Sequence, residues 1–76
     1  MSLKSRFASA VYHSRIERGL TQEEVAEALE ISTRWYQHIE KGDVLPSALL
    51  VLKIIAYFKI DGRQLAEDVY VTVQAH

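Results

Sequence analysis

Apolar side chains recur along this chain at helical intervals, with a change of rhythm only near its end. Leu3, Phe7, Ala10 and Val11, followed by Ser14, fall on one face of a 3.6-residue period and predict a first helix. Gly19 closes it, since glycine takes the left-handed conformation that helix ends favour. Val25, Ala26 and Leu29 form a second stripe, and Tyr36 and Ile39 a third. Both of these short segments carry a start signal. Thr21 stands three residues before Glu24, the spacing of a capping box, and Ser32 is a hydroxyl cap for the next helix. Leu20 and Ile31, just before the two caps, are placed to pack on Val25 and Tyr36. Residues 21–42 therefore read as two amphipathic helices joined by a tight corner, with Ala26 small enough to let their axes approach.

From Ser47 the pattern loses its polar side. In SALLVLKIIAYF the periodicity assigns Ala48, Val51, Leu52, Ile55 and Phe58 to the core, leaving Leu49, Leu50, Ile54 and Tyr57 on other faces. A helix apolar on more than one side is covered on more than one side, so Leu49, Leu50 and Tyr57 are read as a dimer or partner surface; cover from the first and a fifth helix is the alternative. Asp61 and Gln64 then frame a last helical turn that points Leu65 inward. The rhythm changes at Asp68-Val69-Tyr70-Val71-Thr72-Val73-Gln74, where β-branched residues alternate as in a strand. A lone strand needs a partner, and two tails paired across a two-fold axis, with Val69 and Val71 in the contact, would supply one.

The outer face of the third helix holds Thr33, Arg34, Gln37, His38 and Lys41, a row of hydrogen-bonding side chains with two fixed positive charges. Such a row suits base edges and phosphates in a major groove. It equally suits water, because every surface helix has a polar side. From these residues alone the two readings stand level.

The run RIERGLTQEEVAEALEISTRWYQHIEKG, followed by Pro46-Ser47 and an apolar helix, resembles the Cro and phage-repressor type of helix-turn-helix family, also called XRE-like. The matching positions include Arg15, Gly19, Leu20, Thr21, Gln22, Val25, Ala26, Leu29, Ile31, Ser32, Ile39, Glu40 and Gly42, and the resemblance extends over about residues 7–65. It implies an all-α, five-helix repressor-type bundle over residues 1–67; residues 68–76, beyond the resemblance, are the C-terminal tail that the alternation above reads as a possible short dimerisation strand. It implies also that residues 32–41 form a recognition helix in which Thr33, Arg34, Gln37 and His38 read bases. Gln22 and Lys41 would then hold phosphates, and Arg15 would pair with Glu40 to tie the first helix to the third.

The chain departs from the family pattern in three places. Glu30 stands where glycine commonly takes positive φ, at a cost of about 1–2 kcal/mol unless the second helix runs on. Asp43, Val44 and Leu45 occupy a loop that often carries basic residues, which leaves Lys41 and the backbone amides to grip phosphate. Trp35 replaces a small or polar residue; its ring is expected over the edge of the core, against the fourth helix, with DNA backbone or a protein interface as alternatives.

Composition narrows the field further. The chain has 76 residues and no cysteine, enough for one domain with a modest core and no disulfide. It contains neither a signal-peptide pattern nor a membrane-length apolar run, so the default compartment is the cytoplasm. No phosphate-cradling glycine loop, activated nucleophile or metal-ligand cluster is recognisable, and His13 with Glu17 offers only two ligands, so neither enzymatic activity nor a cofactor or metal is expected. Charge is less accommodating: nine Lys and Arg against ten Asp and Glu give a net of -1. The acids crowd onto the second helix at Glu23, Glu24, Glu27 and Glu30, while Lys4, Arg6, Arg34, Lys41 and Arg18 can share the opposite side. Few phosphate contacts mean weak non-specific affinity and favour a dimer. Two functions from different classes fit: a sequence-specific regulator that binds double-stranded DNA as a homodimer, and a protein-interaction module that keeps the fold without reading DNA.

Overall fold

The computed structural model describes residues 2–61 and 63. Among these it contains four helices and no strand: α1 (Leu3–Glu17), α2 (Gln22–Leu29), α3 (Thr33–Lys41) and α4 (Ala48–Phe58). The fifth helix and the tail strand expected from the sequence lie outside the described residues, as do Gln64, Leu65, Val69 and Val71. Asp61 accepts the amide of Arg63 at 3.0 Å and pairs with its guanidinium.

Every helix begins on a hydroxyl. Ser2, Thr21, Ser32 and Ser47 accept from Ser5, Glu24, Trp35 and Leu50 amides, and Glu24 returns its carboxylate to the Thr21 amide at 2.9 Å to complete the box. Each cap satisfies an amide that no helical carbonyl can reach, typically worth about 1 kcal/mol. The ends are equally uniform. Gly19, Glu30, Gly42 and Lys59 all have positive φ, and the residue after each returns its amide to a carbonyl five positions back, as in Ile31 to Ala26 at 3.0 Å. These are Schellman turns, and two of the four put a side chain in the left-handed conformation. Helix α2 does not run on through Glu30; the turn keeps its shape and Glu30 takes φ 61°.

The core draws on all four helices: Phe7, Ala8 and Val11, then Val25, Ala26 and Leu29, then Tyr36 and Ile39, then Ile54 and Phe58. Two features differ from the periodic reading. Ala8 is buried where Ala10 is only partly so, because the start of α1 passes under the turn after α3, where a Cβ on Gly42 would stand 3.5 Å from that of Ala8. Helix α4 is rotated. Leu50, Val51, Ile54, Ile55 and Phe58 face inward, whereas Ala48 is exposed and Leu52 is 62% exposed. Leu50 therefore leaves the proposed partner surface, while Leu49 and Tyr57 stay on the outside. The physical reason is that a segment apolar all round has no polar face to set its phase. Tertiary anchors set it instead: Lys53 donates to the Leu29 carbonyl at 3.1 Å, and Arg18 donates to the Phe58 carbonyl with its guanidinium 5.4 Å from that ring.

Relief of the left-handed strain is measurable. Glu30→Gly is expected to raise unfolding stability by about 1 kcal/mol, since glycine adopts this φ without the Cβ clash but loses some of the gain through its freer unfolded chain. Urea denaturation should show a higher midpoint at unchanged slope, and a lower midpoint would show that the turn carries no such strain.

Candidate nucleic-acid interface

Arg15 lies in the last turn of α1 and Glu40 in the last turn of α3, and their side chains are only 11% and 5% exposed. The pair is bidentate, with Nε donating to one carboxylate oxygen at 2.7 Å and Nη2 to the other at 2.9 Å. Nη1 donates to the Leu20 carbonyl at 2.9 Å, and the guanidinium stands 5.6 Å from the centre of the Tyr12 ring. One arginine thereby fixes the end of α1, the approach to α2 and the far end of α3.

Glu40 does more than pair with arginine. It accepts from Gln22 Nε2 at 3.2 Å, and Gln22 in turn accepts from Gln37 Nε2 at 3.1 Å. Gln22 is the first residue of α2, so this chain of bonds locks the start of α2 to the outer face of α3. A groove of about 420 Å³ opens beside it, lined by Tyr12, Gln22, Gln37, Glu40 and Lys41. Burial opposes ionisation of Glu40 and is the largest single influence on it, yet the hydrogen bonds from Arg15 and its other neighbours together outweigh burial and hold the carboxyl below its usual range. The same pairing raises the already high pKa of Arg15. Tyr36, fully buried next to them, has its hydroxyl without a hydrogen-bond partner among the described residues, and burial with the nearby carboxylate pushes its ionisation far upward.

The remaining side chains of the row are distributed unevenly. Thr33 is half-buried at the first position of α3. Arg34, one residue on, is exposed and makes no hydrogen bond or ion pair among the described residues, and Lys41 is likewise exposed at the groove. His38 is held: its Nδ1 stands 3.1 Å from the Asp43 carboxylate. Trp35 is 39% exposed. Arg18, counted with the outward charges, is instead spent on the Ser14 and Phe58 carbonyls. Two members of the site escaped the sequence reading. Tyr12 lies one helical turn before Arg15, a spacing that could have flagged it, whereas the Asp43 contact with His38 spans a turn whose shape no periodicity encodes. His13 and Glu17 belong to no cluster of three metal-ligating side chains among the described residues. No described helix is long and apolar enough to cross a membrane.

A helix-turn-helix family model matches residues 12–65, the stretch from Tyr12 in the groove through all of α2, α3 and α4. The chain belongs to the helix-turn-helix family, of the Cro and phage-repressor type. It is also 41% identical over 56 residues to the uncharacterized HTH-type transcriptional regulator YqaF of Bacillus subtilis (strain 168), a match covering 74% of each chain. No solved structure matches it significantly. In this helix-turn-helix domain the ion pair, the α2–α3 bond chain and the outward row of α3 are parts of a single assembly.

The ionisation of Glu40 gives that assembly a pH signature. A carboxyl held low in the folded state adds stability that is fully present above its unfolded value, near 4.3, and is lost as pH falls through the folded one. Glu40→Gln is expected to lower stability at pH 7 by about 2–4 kcal/mol and to lessen its fall between pH 5 and pH 3. Thermal melts across that range test this, and an acid limb as steep in the variant as in the parent would place the pH sensitivity elsewhere.

Proposed function

We propose that this chain is a sequence-specific DNA-binding transcription regulator, acting as a homodimer in the cytoplasm with α3 in the major groove. The observation that carries the reading is Arg34: an exposed guanidinium without a partner among the described residues, on the first turn of a helix whose far end is tied down by Arg15 and Glu40. Membership of the family supports it, and so does the relative whose name is that of a transcriptional regulator. Thr33, Arg34, Gln37 and His38 would meet base edges, while Gln22 and Lys41 on the groove would meet phosphates.

The homodimer rests on the outside of α4. Leu49 is 72% exposed and Leu52 62%, with Leu45 and Tyr57 also on the surface, an apolar area suited to a second copy. The same area, with exposed Trp35 and the acidic Asp43 in the loop before α4, favours a second reading as a protein-interaction module that does not read DNA.

Selection of bound duplexes from a random library at low salt separates the two. Recovery of a palindrome with half-sites about one helical turn apart is the expected outcome, and failure of the folded protein to enrich any sequence transfers the case to the interaction module. On the selected site, Arg34→Ala should cost roughly 1–3 kcal/mol and relax preference at one base pair, whereas an equal loss on every sequence contradicts base reading. Lys41→Ala should reduce the slope of log affinity against log salt by about one, and an unchanged slope takes Lys41 off the phosphates. For the dimer, Leu49→Lys with Leu52→Lys is expected to yield monomer in sedimentation at concentrations where the parent is dimeric. Truncation after residue 67 tests the tail in the same way, and an unchanged mass for either variant removes that element from the contact.

A further inference from the structure

Two acceptor-only groups stand behind the reading face, and each fixes the polarity of the side chain in front of it. Glu40 can only accept, so Gln22 turns its amide nitrogen towards it, at 3.2 Å. With its nitrogen turned to Glu40, Gln22 presents its carbonyl oxygen to Gln37, which donates its own amide nitrogen at 3.1 Å. Gln37 is left with a free carbonyl oxygen and one N–H. At the next position Asp43 is likewise an acceptor, so Nδ1 of a neutral His38 must carry the proton, across 3.1 Å. Nε2 is left as a bare lone pair with no partner among the described residues.

We propose that Glu40, through Gln22, and Asp43 act as positioning residues that make the DNA-reading face of α3 present acceptors at Gln37 and His38, which select bases bearing exocyclic amines in the major groove. The inference rests on the DNA-binding reading above and specifies its substrate. Adenine offers an N6 amine and an N7 acceptor, which the Gln37 oxygen and its remaining N–H satisfy together. Guanine offers two acceptors there, and a bidentate match would need both amide hydrogens of Gln37, one of which is committed to Gln22. The lone pair on His38 accepts from adenine N6 or cytosine N4 and has nothing to donate to guanine. Arg34, which can only donate, stands one turn away and supplies the opposite polarity.

The test pairs selection on random duplexes at pH 8 with a measurement that needs no DNA. The bases met by Gln37 and His38 are those whose preference disappears in Gln37→Ala and in His38→Ala. The expected result is adenine at the first, favoured over guanine roughly 5- to 150-fold, and adenine or cytosine at the second. In Gln22→Ala the adenine preference should fall to about two-fold or less, because the amide of Gln37 is then free to turn. Asp43→Ala should bind all sequences more tightly, having lost an anion near the phosphates, while its choice at the second position broadens. Guanine at either position, or preferences unchanged in the two variants, overturns the proposal. Independently, nitrogen-15 NMR of the free protein should find the His38 proton on Nδ1 and, in Asp43→Ala, shared between the two ring nitrogens. A proton on Nε2 in the parent also overturns it. The correct tautomer together with no enriched sequence instead overturns the DNA-binding reading and leaves the set polarity standing.

Discussion

The buried bond between Arg15 and Glu40 is the constraint on which the rest of the domain depends. Removing two charges from water costs several kcal/mol each, and their attraction recovers this only when geometry is good and the remaining donors and acceptors are satisfied. Both conditions hold. The two bonds lie at 2.7 and 2.9 Å, the third guanidinium nitrogen reaches the Leu20 carbonyl, and the carboxylate also takes the Gln22 amide. Burial of this kind contributes little net stability compared with a well-packed apolar pair, so its effect lies in orientation. A rotation of α3 about its axis would strand a charge in the core.

Around that bond, local chemistry decides where each helix starts and stops. A domain of 76 residues without cysteine has a small core, so the hydroxyl caps and left-handed turns at its helix ends are a large share of what makes the chain choose one structure. Glu30 and Lys59 take the left-handed conformation without being glycine. Both are followed by an isoleucine that folds back on the core, Ile31 after α2 and Ile60 after α4, and this burial offsets the strain of the turn before it.

The same contrast between local and non-local determinants separates what could be read in the sequence from what could not. Caps and staples lie within five residues of each other, which is why α2, α3 and the tight corner between them were legible from Thr21, Ser32 and the apolar stripes. The Arg15–Glu40 contact spans 25 positions and entered only through resemblance to a family. Helix α4 was legible as a helix but not in phase, because Leu49, Leu50, Leu52 and Ile54 look alike to any periodic argument. Their sorting into wet and buried is done by Lys53 on α2 and Arg18 on the end of α4. Such anchors join positions 24 and 40 apart and leave no periodic trace. The polar chain from Glu40 through Gln22 to Gln37 was invisible for the same reason: Gln22 and Gln37 had been assigned separate outward roles, and Glu40 only its pair with Arg15.

Charge then shapes how such a face would discriminate. With a net of -1 and Arg18 engaged internally, Arg34 and Lys41 are the cations of α3 left facing outward. Counterion release scales with the number of phosphates neutralised and is the same on every sequence, so a face with few cations gains little from DNA in general. The hydrogen bonds to base edges lose nothing by this, because they depend on the order of donors and acceptors along α3. Discrimination is the difference between specific and non-specific binding, so a term common to both cancels from it and leaves the choice of sequence to the base contacts. Near-neutral charge, at first an argument against a DNA reader, is compatible with one that relies on a rigid, pre-set reading face and on two copies acting together.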